Sequence, residues 1–276
     1  MNKQGKLKNG KVVGGIEWTK TTLPNGTERQ GYTWNPVGGC LHGCRWKMPD
    51  GTIAICYAEE AAHNIAQRAY PHGFEHHYWR PHQLEAPLKL KEPVKIFLDS
   101  MSDLMGHWVP DEQIEAVLNV ARQAHWHTFQ LLTKNAPRLL KFDFPKNVWL
   151  GVSSSPDYMF GKQLPIRSQR RMLHKTLQTL SKIEQVTWVS FEPLSWDVSE
   201  IVAQYPEAIN WAVIGAATNG PKRYQPAPVH VERLLNVLDN QGVPVFFKGN
   251  LLWDKWREDF PDIQNQNSHK LSLEYN

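Results

Sequence analysis

Cysteine is scarce in this chain, with three in 276 residues. An apolar run near the roughly 20 residues that span a bilayer is missing, so the sequence predicts a soluble protein with no membrane segment. The N-terminal MNKQGKLKNGK is polar and basic and lacks the apolar core of a signal peptide. That points to a reducing cytoplasm, where cysteines bind metal or react more often than they pair as disulfides. Charge of either sign is nearly balanced: 31 Lys and Arg against 27 Asp and Glu leave +4. Such a balance permits a polyanionic partner without requiring one. There is no GxGxxG, no Walker loop and no HExxH, so the familiar dinucleotide, P-loop and zinc-protease signatures are absent. Internal repeats and low-complexity tracts are missing too.

What is present is concentrated. All three cysteines, Cys40, Cys44 and Cys56, fall in the string GGCLHGCRWKMPDGTIAICYAEE. A loop this rich in Gly, Pro and Asp is a poor place for buried thiols that merely fill a core. Three thiolates suit three of the four ligands of a structural zinc site, or three of the four iron corners of a cubane cluster. The fourth ligand decides. A Cys3His zinc site using His42, or one of His72, His76, His77 and His82 in PHGFEHHYWRPH, is the structural alternative. Neighbouring histidines in an aromatic loop are otherwise simple surface or interface residues.

A 41% hydrophobic chain of this length buries a substantial core. Short apolar or β-branched runs at Gly31–Asn35, Lys95–Asp99, Thr128–Leu132, Val148–Val152, Thr187–Phe191, Trp211–Ile214 and Val243–Phe247 read as strands. Helical stretches are expected at 57–69, 111–124, 167–183, 198–204 and 230–240. Near-continuous apolar strands interleaved with helices mean a parallel sheet buried on both faces. About seven such strands give an α/β fold, a full or partial (β/α) barrel, with an open doubly wound sheet as the alternative. Residues 31–251 then form the barrel domain, 1–30 a loosely docked N-terminal extension and 252–276 a polar, weakly ordered tail. The twelve tryptophans are expected mainly to pack layers.

Functional residues of such folds collect where strands end. Here the ends read Ser100-Met101-Ser102-Asp103, Thr133-Lys134-Asn135, Ser153-Ser154-Ser155, Glu192-Pro193, Gly215-Ala216-Ala217-Thr218 and Lys248-Gly249-Asn250. Helix capping explains each singly; the cysteine loop on the same face favours a site. Asp103 and Glu192 are the candidate acid or base groups.

The pieces TWNPVGGCLHGC, CYAEE, KIFLDSMSDLMG, LLTKNAPRLL, VWLGVSSS, VSFEPL, WAVIGAATNG and PVFFKGNL resemble, in order, a phage-associated and bacterial family of radical-SAM-like proteins. The resemblance implies a barrel of the radical SAM type in which Cys40, Cys44 and Cys56 each hold one iron of a [4Fe-4S] cluster. It further implies that the fourth iron takes S-adenosylmethionine, and that reductive cleavage yields a 5′-deoxyadenosyl radical. Tyr57, Ser100, Met101, Ser102, Asp103, Thr133, Lys134, Ser153, Gly215 and Ala216 would contact that cofactor, and a flavodoxin- or ferredoxin-like partner would donate the electron. A nucleotide or a modified nucleobase in DNA is the expected substrate, with the basic run Arg167, Arg170 and Arg171 equally readable as a solvated helix face. A zinc- or cluster-stabilised nucleic-acid-binding protein without catalysis is the alternative. The pattern departs from the usual C-x3-C-x2-C signature in one respect: eleven residues separate Cys44 from Cys56. If Pro49-Asp50-Gly51 makes a turn, the sulfurs still converge.

Overall fold

The computed structural model describes residues 1–262, so the last part of the expected polar tail lies outside the described residues. Its centre is a mixed α/β arrangement around one mostly parallel sheet. Eight strands form it in chain order: β1 (Asn2–Lys3), β2 (Tyr32–Trp34), β3 (Lys95–Leu98), β4 (Thr128–Thr133), β5 (Val148–Ser153), β6 (Thr187–Phe191), β7 (Trp211–Ile214) and β8 (Val245–Phe247). From β2 to β8 every neighbouring pair runs parallel, and β1 joins β2 antiparallel at the edge. A full barrel does not form, because no ladder among the described residues joins β1 to β8.

Alternation along the strands separates two apolar layers. Ile96, Leu98, Phe129, Leu131, Leu150, Val152, Val189 and Ile214 face the helices. There they meet Ile114, Val117, Leu118 and Ala121 of α2 (Asp111–Gln123), Leu173, Leu177 and Leu180 of α3 (Ile166–Leu180), and Val231, Leu234 and Leu238 of α5 (Pro228–Asn240). The i, i+3, i+4, i+7 spacing in α2 makes that stripe, and Asp111 and Glu112 favour its start through the helix dipole. Two shorter helices, α1 (Tyr57–His63) and α4 (Ser199–Val202), complete the set. The expected helix from Tyr57 breaks at Asn64, whose backbone leaves the helical region.

The other face of the sheet is filled at one end by aromatic rings. Trp149, Trp188 and Trp211 pack with Phe97 and Phe246, at ring separations of 5.6 Å for Trp149 and Trp211 and 5.2 Å for Trp188 and Trp211. A side chain at Gly151 would put Cβ 2.1 Å from the Trp188 ring, so only glycine fits beneath it. Each tryptophan buries roughly 150–250 Å², about 4–6 kcal/mol of hydrophobic stabilisation before entropy is counted. That end is therefore fixed, and the strand C-termini at the opposite end are free to carry a site.

The N-terminal segment is not loosely docked. Asn2 and Lys3 pair with Thr33 and Tyr32, and Trp18 from the turn Glu17–Thr19 inserts into the tryptophan layer. Lys20 pairs with Glu28 and Glu258, and Gly249 N donates to Glu17 Oε2 at 2.7 Å. Aromatic burial of Trp18 outweighs the polar character that made the segment look frayed.

Lys95 sits at this closed end, donating to the Lys20 carbonyl at 2.8 Å. Burial, aided by the Lys20 charge, pushes its ammonium down to about 7. An unfolded lysine titrates near 10.4, so between those values the unfolded chain binds more protons and wild-type stability rises with pH. A Lys95→Met variant lacks this dependence. In thermal melts, its midpoint minus that of wild type should be greatest near pH 7 and shrink toward about pH 10; a gap constant with pH would contradict the assignment.

Candidate functional site

The stretch between Cys44 and Cys56 is a β-hairpin, Arg45–Lys47 against Ile53–Ile55, turning through Pro49-Asp50-Gly51. Arg45 pairs with Ile55, so Cys44 and Cys56 stand on the two legs at its base. The long spacing thus brings the second and third cysteines together. Met48 N closes the turn on the Thr52 carbonyl at 2.8 Å, and Asp50 accepts from Thr52 N and Oγ1. Bidentate contacts from Arg45 to Glu59, 2.7 and 2.8 Å, tie the hairpin to α1, whose N-cap is Cys56.

Cys40 reaches the same place from the other side. Its loop is pinned by Cys40 N to the Phe74 carbonyl at 2.8 Å and by Gly39 N to the Met101 carbonyl at 3.0 Å. Gly39 has φ 79°, and a Cβ there would lie 1.8 Å from the His76 carbonyl oxygen, so the loop requires glycine. Cys40, Cys56 and Met101 pack against a small core of Ala58, Ala62, Tyr70 and Phe74.

Burial raises the Cys40 thiol well above its ordinary value, with Asp103 and the other two cysteines adding to it. Burial likewise pushes Cys44 up to about 11. The three sulfurs lie close enough to interact electrostatically. Among the described residues, no three His, Cys, Asp or Glu side chains form a set that would hold a single metal ion. Lys134 is the nearby cation: burial works against its charge, and Cys44, Cys56, Asp103 and Cys40 together raise its affinity for the proton. Its ammonium donates to Ser153 Oγ at 3.1 Å and lies 5.8 Å from the Trp46 ring of the hairpin.

Asp103 ties the loops together. It is buried, and its carboxylate accepts from His42 Nε2 (2.7 Å), Lys134 N (2.9 Å) and Met105 N (3.0 Å). Burial pushes its carboxyl up, but His42, Lys134 N and Thr133 Oγ1 outweigh that and hold it below the usual carboxylate range. Thr133 Oγ1 also accepts from Asn135 N at 2.9 Å. Asp103 thereby joins the cysteine loop to the turns that follow β3 and β4. His42 spends Nε2 on Asp103 and keeps Nδ1 without a partner. His77 is held at 2.8 Å from Gln113 Oε1, and the His72 and His76 rings meet edge to face at 5.2 Å.

Tyr57, exposed, donates its hydroxyl to the Ser100 carbonyl at 3.0 Å. Ser102 Oγ donates to the Gly39 carbonyl at 2.7 Å. Asn35, at the end of β2, accepts from Ser100 Oγ and Met101 N at 3.2 and 3.1 Å. Asp99 has φ 52° and its carboxyl is raised well above the ordinary value, burial being the main cause. Neither Asn35 nor Asp99 was singled out from sequence, although each closes a run read as a strand.

Glu192, Gly215 and Ala216 form a second cluster at the ends of β6 and β7. Glu192 pairs with Lys248. Burial lowers the Lys248 ammonium to about 8 despite Glu17 nearby. Asn250 clasps Ala216 through both its backbone groups, at 3.1 Å to N and 2.8 Å to O. A Cβ on Gly215 would press on Lys248, Asn250 and Glu192 at 3.0–3.2 Å. The inserted hairpin reaches this side. Asp50 accepts from Tyr224 (2.6 Å) and Lys222 (3.3 Å) of the hairpin Ala217–Asn219/Lys222–Tyr224. It therefore arches over the mouth of the sheet. Of the basic run on α3, Arg170 pairs with Glu200, while Arg167 and Arg171 are exposed.

Among the described residues no helix is long and apolar enough to cross a membrane. No curated protein matches the sequence. Solved structures similar to the chain include spore photoproduct lyase complexed with dinucleoside spore photoproduct, at 10% identity and TM-score 0.40. Another is a radical SAM methyltransferase from Sphaerobacter thermophilus, at 14% identity and TM-score 0.42. Each alignment covers 83% of this chain, and the chain spans 66% of the lyase and 68% of the methyltransferase. A family model described as "Protein of unknown function (DUF5131)" matches residues 14–271, nearly the whole chain, and the chain belongs to that family.

Proposed function

We propose that this chain is a radical S-adenosylmethionine enzyme in which Cys40, Cys44 and Cys56 hold a [4Fe-4S] cluster with one iron left for S-adenosylmethionine. One observation carries this: the whole cysteine complement gathers at the C-terminal mouth of a parallel sheet, Cys44 and Cys56 across the base of a hairpin and Cys40 and Cys56 against Met101. Three thiols with no fourth cysteine in the chain fit a cluster that keeps one iron open.

When bound, the cluster would supply the electron that splits the sulfonium into methionine and a 5′-deoxyadenosyl radical. The chain's own residues prepare for it. The thiols must lose their protons on loading, so cluster assembly releases protons. Lys134 stands by to offset the thiolate charge. With Asp103 so engaged, backbone carbonyls in Ser100–Ser102 would hold the amino hydrogens of S-adenosylmethionine, beside the bonds Tyr57 and Gly39 already make to Ser100 and Met101. Gly215 keeps the opposite wall low, and the Glu192–Lys248 pair offers polar groups to ribose or substrate. The arching hairpin shields the mouth from water. A flavodoxin- or ferredoxin-like donor and a nucleotide or DNA-borne nucleobase complete the proposal.

Anaerobic reconstitution should yield about four irons and four sulfides per chain, with an electron paramagnetic resonance signal that changes on adding S-adenosylmethionine. A chain that keeps one zinc and takes up no iron would identify the zinc-stabilised alternative.

A further inference from the structure

Beside the cysteine loop lies a cavity of about 420 Å³, within the roughly 300–1,000 Å³ range of small-molecule sites. His42 of the cysteine loop, Lys134 after β4, and Met172 and Lys175 of α3 wall it, and Met159 and Phe160 roof it. Its charge is one-sided. Two lysines line it and, among the described residues, no carboxylate does. His42 is buried, spends Nε2 on Asp103 and leaves Nδ1 without a partner.

The roof is unusual. Phe160 and Gly161 are the two-residue loop joining Tyr158–Met159 to Lys162–Gln163, and both have positive φ, 54° and 69°. That is the backbone of a type I′ turn, where Asn or Gly sits without strain and Phe does not. Nor does core packing explain the residue, since Phe160 is 48% exposed. Its amide donates to the His42 carbonyl at 2.7 Å, and its ring lies 5.2 Å from His42 and 5.7 Å from His107. A strained aromatic held over a cationic cavity suggests a flat ligand.

We propose that this cavity binds a flat-ringed anion of the nucleoside monophosphate kind, its ring against Phe160 and its phosphate drawn by Lys134 and Lys175. That this ligand is the substrate rests on the radical enzyme reading; the binding itself does not need the cluster.

Calorimetric titration of the full chain without iron tests it. The probes are thymidine monophosphate, thymidine, inorganic phosphate, a short single-stranded oligonucleotide and S-adenosylmethionine. The monophosphate or the oligonucleotide should bind at least about tenfold more tightly than thymidine or phosphate, a difference of about 1.4 kcal/mol. Which of the two wins tells a free nucleotide from a nucleic-acid source. Lys175→Glu should weaken that binding at least about tenfold, the scale of a lost charge contact. Phe160→Asn should weaken it while raising the melting temperature, because Asn fits the turn.

Failure of both nucleotide probes to saturate would overturn the proposal. So would saturation by S-adenosylmethionine alone, by phosphate as tightly as by nucleotide, indifference to Lys175→Glu, or a lowered melting temperature for Phe160→Asn. If both probes fail while the loaded enzyme still makes 5′-deoxyadenosine, this inference falls and the radical reading stands.

Discussion

Cys44→Ala should reduce the iron bound after reconstitution from about four per chain to fewer than about two, because a cubane deprived of one of three thiolates loses its hold on a corner. The same change should barely disturb the fold. Cys44 is 5% exposed and its loss removes one atom from a small packed site, a cost of about 1 kcal/mol by the scale of single-group core deletions. Iron content and stability therefore separate. A merely structural cysteine would show the reverse, with stability falling and iron unaffected. Colorimetric iron analysis alongside a thermal melt distinguishes the two, and unchanged iron in Cys44→Ala would remove Cys44 from the ligand set.

A second large effect is expected at Asp103. Its carboxylate accepts from His42, Lys134 N and Met105 N in a buried setting, so Asp103→Ala leaves an imidazole and two backbone amides without an acceptor. Breaking a buried charged contact from one side costs about 3–5 kcal/mol. At about 2–4 °C per kcal/mol for a chain of this size class, the melting temperature should drop by roughly 6–20 °C. The damage should also be local. Asp103 ties the cysteine loop to the turn after β4, so alkylation of Cys40 and Cys44 should accelerate in the variant. Asp103→Asn keeps one acceptor but turns an amide toward a backbone N–H, and should fall between the two. A melt within about 2 °C of wild type would mean that the three bonds contribute nothing net, against their usual strength when charge-assisted.

The parallel order of the central sheet was legible because its strands are buried on both faces and read as apolar runs. The polar strand ends were legible for the same reason, since each begins where such a run stops. The inserted hairpin was half legible. Pro49-Asp50-Gly51 announces a turn, but RWK and IAI are too short to advertise strands, and the pairing of Arg45 with Tyr158 links residues far apart in the chain. Asn35 and Asp99 illustrate the same limit. Asn35 holds Ser100 and Met101 across more than sixty residues, and no local pattern encodes that distance. The docking of Trp18 was hidden by its polar surroundings, because local composition cannot tell which single aromatic will find a distant layer. Closure into a full barrel was left open by the sequence, since β1 and β8 end as edges.

The most direct test of the central claim is a single anaerobic assay, in which reconstituted protein, dithionite and S-adenosylmethionine are incubated and 5′-deoxyadenosine is quantified by mass spectrometry. Wild-type protein is expected to release 5′-deoxyadenosine and methionine in equal amounts while Cys44→Ala releases neither. A wild-type chain loaded with a four-iron cluster that leaves S-adenosylmethionine intact would contradict the account.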